Sequence, residues 1–90
     1  MKRTIRRTSQ FKRDVKQLER SGNDIEKLLD VVEKLEEGKR LPPESHDHPL
    51  HGVYLNKRGC HIEPDWILLY AIEDNELVLY RTGSHTQLFR

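Results

Sequence analysis

Ninety residues leave room for one domain, residues 1–90, because domains usually run to about 100–200 residues. A composition of 34% hydrophobic and 34% charged residues holds no run near the about 20 apolar residues that a membrane-spanning helix needs. Sixteen Lys and Arg against fifteen Asp and Glu give a net charge of +1, which at face value argues against a nucleic-acid partner.

Taken in chain order, residues 3–8 predict a first strand, with Ile5 as its apolar residue and Thr4 and Thr8 as strand formers. Ser9 is expected to cap a helix running to Arg20, on which Phe11, Val15 and Leu18 share a face. Gly22 stops it. Asn23 is expected to cap a second helix, with Glu26 placed as in a capping box. Ile25, Leu28, Leu29, Val32 and Leu35 form its apolar stripe, Val31 widens it, and Gly38 ends it. The two helices make a hairpin.

Residues 39–50, with Pro42, Pro43 and Pro49, read as a loop or short turn. Val53–Leu55 reads as a short strand that ends at a polar turn, Asn56–Gly59. Cys60–Glu63 alternates as a strand does. Pro64 cannot donate to a ladder, so Glu63–Trp66 is expected to be a turn or bulge. Trp66–Ile72 is the predicted central strand, Glu73–Asn75 a turn, and Leu77–Tyr80 the hairpin partner. Gly83 ends that strand, and Ser84 with Gln87 is placed to cap a last helical turn. The order β-α-α-β-β-β-(α) predicts an α+β fold, with the N-terminal strand and helical hairpin packed on an antiparallel sheet.

Charge is unevenly spread. Residues 1–20 carry eight Lys and Arg against two acids, and residues 39–58 carry four against two. Residues 21–37 and 59–90 are net acidic. A basic stretch folded onto one face can hold an anion despite a near-zero total. Lys12, Arg13, Lys16 and Arg20 on the first helix are the leading candidates for contacts to an anionic partner; a solvated helix face is the alternative.

The five histidines, His46, His48, His51, His61 and His85, all fall in the second half. Histidine suits proton transfer near neutrality. Two chemistries fit. One is a metal site built from His46, His48 and His51 with Cys60 or His61, although no CxxC pair or HExxH spacing is present. The other is metal-free general acid–base catalysis, which needs a base, an acid and a cation for developing charge. RNA cleavage through the ribose 2′-hydroxyl needs those three parts. Structural readings stand beside these: Asp65 as a turn residue, Trp66 as core, Arg81 as the partner of a carboxylate such as Glu63, and Phe89 as a hydrophobic cap on the sheet.

Three segments together resemble the YafQ branch of the RelE/ParE toxin superfamily. They are Asp47-His48-Pro49-Leu50-x-Gly52, His61-Ile62-Glu63-Pro64-Asp65-Trp66-Ile67-Leu68-Leu69-Tyr70, and Arg81-Thr82-Gly83-Ser84-His85-x-x-Leu88-Phe89. The resemblance implies a microbial-RNase-like RelE fold and a toxin of a type II toxin–antitoxin system. It implies a cofactor-free, metal-independent endoribonuclease that cuts mRNA on the ribosome and inhibits translation. The implied partners are a cognate antitoxin protein, the ribosome with its RNA, and mRNA; operator DNA is reached only through the antitoxin. A cytoplasmic location is expected, since the lone Cys60 forms no internal disulfide and no apolar run follows the basic N-terminus.

By the same resemblance His48, His61, Asp65, Arg81 and His85 are catalytic, with His85 the first choice for general acid and the base left unassigned. His85 in the first turn of a short helix is expected to put N–H groups beside the phosphate. Arg81 is expected at a strand end facing the phosphate, and Phe89 to position a base by stacking. His46 and His51 match no functional position, Tyr54 is expected to pack, and Cys60 to be a small buried residue. The alternative within the superfamily is a ParE-like toxin that binds DNA gyrase without cutting RNA.

Overall fold

A computed structural model describes residues 2–89; Met1 and Arg90, which belong to the first and last charge blocks, lie outside the described residues. Strand β1 (Thr4–Arg7) leads into α1 (Ser9–Arg20) and α2 (Ile25–Glu36), followed by β2 (His48–Pro49), β3 (Arg58–Glu63), β4 (Trp66–Glu73), β5 (Glu76–Gly83) and α3 (His85–Phe89). One five-stranded sheet has the order β1-β5-β4-β3-β2. This is the expected α+β arrangement with one difference. β1 runs parallel to β5, because the helical hairpin carries the chain back over the sheet, while the other pairings are antiparallel.

The helix starts shift by one residue from expectation. Thr8, not Ser9, caps α1: its Oγ1 accepts from Phe11 N at 3.0 Å and donates to Tyr80 O at 2.8 Å. That second bond ties the cap to β5, a tertiary partner that Ser9 lacks. Asp24, not Asn23, caps α2 by accepting from Glu26 N at 3.1 Å, so the Asn23–Glu26 box does not form.

The expected strand at Val53–Leu55 is a 3₁₀ turn, Gly52–Tyr54. Its first residue, Gly52 (φ 67°), and Asn56 beyond its end (φ 71°) are in the left-handed region, which breaks extension on both sides of Val53–Leu55. Val53 is consequently 90% exposed. The sheet edge is taken instead by His48–Pro49, which pairs with Gly59 and Arg58; a proline is tolerated on such an edge.

Alternation along the strands gives the sheet two faces. One packs Cys60, Trp66, Leu68, Tyr70, Leu77 and Leu79 against Phe11, Leu18, Leu28, Val32 and Leu35 of the two helices. The other buries the smaller set Leu50, Ile67, Leu69 and Leu88, with Tyr54 and Tyr80 at its margin. Among the described residues only the short α3, through Leu88, packs on this second face as a helix, and the candidate site forms there.

Candidate active site

The site is built on the thinly covered face of β3 and β4. His61 pairs with Ile67 across the ladder and shares its face, whereas Cys60 pairs with Leu68 and points to the helices. A small cavity on this face is lined by His48, Leu50, Gly59, His61, Ile67, His85 and Phe89. Four of the predicted functional side chains, some forty residues apart in the chain, therefore converge on one concavity.

Each histidine is held differently. His48 Nδ1 donates to His46 O at 2.5 Å, and His61 Nδ1 donates to Pro64 O at 3.1 Å. A carbonyl only accepts, so both rings carry the proton on Nδ1 and, when neutral, present Nε2 as the lone pair. His85 lies 4.9 Å from the Phe89 ring, centroid to centroid, tilted by 44°. His46, which matched no functional position, supplies that carbonyl from a left-handed backbone (φ 47°) and sets its own ring edge-on to His61 at 5.6 Å. His51 is exposed.

Asp47 steadies the segment that carries His48. Its Oδ1 accepts from the buried Tyr70 hydroxyl at 2.6 Å and from Arg58 Nε at 3.2 Å. Burial, and then the hydrogen bond to Asp47, push the Tyr70 phenol pKa upward, so it stays a donor. This role was not assigned from sequence; the adjacent Asp47-His48 pair was its only signal.

Asp65 occupies the two-residue connection between β3 and β4, as expected after Pro64, and joins the site through the backbone: its Oδ1 accepts from His85 N at 3.1 Å. The Ser84–Gln87 capping box forms, with Gln87 Oε1 accepting from Ser84 N at 2.9 Å and Ser84 Oγ from Gln87 N at 3.2 Å. These contacts correct one expectation. The N–H groups of Ser84, His85 and Gln87 already have protein acceptors and are not held open for a phosphate.

Arg81 also differs from expectation. It lies inside β5, which extends to Gly83, rather than at a strand end. Its partner is Asp14 on α1 and not Glu63, which instead meets Lys27 at 2.6 Å. Arg81 does not line the histidine cavity. The hydrogen bond to Asp14 raises the Arg81 pKa. At the cavity's margin the Tyr54 ring meets Phe89 edge-on at 5.6 Å. Tyr54 itself donates to Leu88 O at 2.9 Å. Trp66 is core, donating Nε1 to Thr82 Oγ1 at 2.9 Å.

Lys12, Arg13, Lys16 and Arg20 are exposed on α1, away from the cavity. Lys12 and Lys16, with Arg7, border an apolar groove of about 510 Å³ floored by Ile5, Phe11, Val15, Leu28 and Val32. Among the described residues, no group of three or more His, Cys, Asp or Glu is arranged to hold a metal ion, and no helix is long and apolar enough to cross a membrane.

A family model described as a bacterial toxin of type II toxin–antitoxin systems, YafQ, matches residues 3–90. The chain belongs to the YafQ toxin family. The mRNA interferase toxin YafQ of Escherichia coli strain K12 is 38% identical over 90 residues, covering 99% of this chain and 98% of that relative. The crystal structure of YafQ from E. coli strain BL21(DE3) matches with a TM-score of 0.93 at 37% identity, over 98% of this chain and 99% of that one. YafQ in the E. coli DinJ–YafQ toxin–antitoxin complex matches with a TM-score of 0.92 at 37% identity, over the whole of both chains. The expected enzyme class stands, since the curated E. coli YafQ relatives are named mRNA interferases, that is, endoribonucleases. That name favours the nuclease over the gyrase-binding alternative.

Proposed function

We propose that this YafQ-family toxin is a ribosome-dependent mRNA endoribonuclease working by metal-independent acid–base cleavage through the ribose 2′-hydroxyl. One observation carries the reading: His48, His61, His85 and Phe89 line a single cavity. His48 and His61 have Nδ1 engaged by carbonyls, so either can accept the 2′-hydroxyl proton at Nε2. His85, oriented by Asp65, protonates the leaving 5′-oxygen. Arg81 supplies positive charge for the phosphorane, and Phe89 offers a face on which a base stacks.

The partners follow from the same reading. The ribosome holds the message, with Lys12, Arg13, Lys16 and Arg20 meeting ribosomal RNA phosphates. A cognate antitoxin neutralises the toxin, seating an acidic amphipathic segment on the groove bordered by Lys12 and Lys16. The solved E. coli DinJ–YafQ complex supports an antitoxin partner. Operator DNA is reached only through that antitoxin.

The test is primer extension on a translated message after toxin induction. New 5′ ends within codons are expected from the parent. His85→Ala should reduce them about 10²–10⁴-fold and relieve growth arrest while antitoxin binding persists. DNA breaks without message cleavage would overturn the reading, as would full cleavage by His85→Ala or loss of cleavage by toxin that has been treated with chelator and then freed of it before it is added to ribosomes.

A further inference from the structure

Asp14 is the buried carboxylate of the described chain, on a helix whose exposed residues are mostly basic. Every acceptor position it has is used. Oδ1 accepts from Arg81 Nη2 and from Gln10 Nε2, each at 3.0 Å; Oδ2 accepts from Arg81 Nε and from Thr82 N, each at 3.1 Å. A carboxylate offers about four lone-pair sites, so the group is saturated and its burial is compensated.

The grip on Arg81 is bidentate, through Nε and Nη2, which fixes the plane of the guanidinium as well as its position. It leaves Nη1 as the guanidinium nitrogen not held by Asp14. The strand is shaped for this pairing. Between Leu69↔Arg81 and Tyr70↔Leu79 the β4–β5 register shifts, so Tyr80 is an extra residue beside Arg81. Such a bulge bends its strand and re-aims the neighbouring side chain. The backbone bond from Thr82 N would by itself fasten α1 to β5; the fork on Arg81 adds orientation of one cation.

We infer that Asp14 is a positioning residue for catalysis, clamping the Arg81 guanidinium in the one orientation that delivers its remaining donors to the scissile phosphate. The inference rests on the reading above that Arg81 serves that phosphate. Asp14 touches no substrate; it acts through Arg81.

The experiment measures cleavage of a translated message in a reconstituted translation reaction. Misplacing a catalytic group by about 1 Å can cost about 10²-fold, so D14N is expected to lower kcat by about that factor with KM for the ribosome–message complex unchanged. R81A should fall at least as far, and D14N/R81A no further than R81A, since the two residues act as a unit. Millimolar guanidinium, against sodium chloride of equal ionic strength, should restore part of the R81A activity but none in D14N/R81A. Equal concentrations of ammonium, which lacks the planar fork, should restore none; this comparison needs only R81A and stands even if D14N fails to fold. A D14N activity within twofold of the parent beside an inactive R81A would overturn the inference alone. So would equal rescue by guanidinium and ammonium, or equal guanidinium rescue with and without Asp14. Full activity of R81A would overturn both the inference and Arg81's place in the mechanism.

Discussion

Asp65 and His85 are joined by a hydrogen bond from the His85 backbone N–H to Asp65 Oδ1 at 3.1 Å, across 20 residues of chain. The carboxylate serves as a cap from another element, setting where α3 begins and therefore where the His85 ring stands over the cavity. α3 is five residues long and has little stability of its own, so this contact and the Ser84–Gln87 box hold it in place.

Asp65→Asn keeps an oxygen for that N–H; Asp65→Ala does not. Loss of a cap costs about 0.5–2 kcal/mol, so Asp65→Ala should lower the urea midpoint and depress message cleavage, while Asp65→Asn should keep most of both. If Asp65→Asn is as inactive as Asp65→Ala at full stability, the negative charge itself takes part in proton transfer and the capping account fails.

The Trp66–Thr82 bond lies wholly inside the sheet–helix core, and Thr82 Oγ1 also donates to Ile67 O at 2.9 Å. Thr82→Val preserves shape but removes the acceptor of the indole N–H. A buried donor left unpaired costs about 1–3 kcal/mol. Equilibrium urea unfolding should show that loss for Thr82→Val and a smaller one for Thr82→Ser, which retains the hydroxyl. Equal midpoints for Thr82→Val and the parent would refute it.

Cys60 is fully buried beside Leu68, and burial pushes its thiol from 9.0 up to about 12. The folded chain therefore keeps the proton that the unfolded chain loses above pH 9. This contribution to stability is fully present below pH 9 and declines as pH rises from 9 towards 12. The thiol should resist iodoacetamide at pH 8 in the native protein and react quickly in urea; rapid native labelling would contradict its placement.

Lys12 and Lys16 stand on the exposed side of α1 and at the border of the apolar groove. Lys12→Glu with Lys16→Glu should weaken ribosome association and flatten its salt dependence, because fewer phosphate contacts release fewer counterions. The same pair should weaken antitoxin binding. Ribosome binding with an unchanged salt slope would place the RNA contact elsewhere on the molecule.

What could be read before folding was whatever depends on near neighbours in the chain. Helical spacing in Ile25–Leu35, the apolar run Trp66–Ile72, the turn at Pro64 and the Ser84–Gln87 box are local patterns, and each recurs in the structure. The three motif segments also marked His48, His61, His85 and Phe89, which line one cavity, together with Asp65 and Arg81, which do not. Tertiary structure decided the rest, because each remaining contact joins residues far apart in sequence. Thr8 displaces Ser9 as a cap by also bonding Tyr80, and His48–Pro49 takes the sheet edge that Val53–Leu55 was expected to take. Arg81 finds Asp14, 67 residues away, only once α1 lies against β5 and the bulge beside Tyr80 turns the side chain. A trace of that pairing was present all along. Phe11, Asp14 and Leu18 lie on one helical face, and an acid on that face needs a buried cation or donors to balance it. Which cation answers is a matter of packing, and it is there that the net charge of +1 resolves into a partly buried ion pair between α1 and β5 and a basic surface on α1.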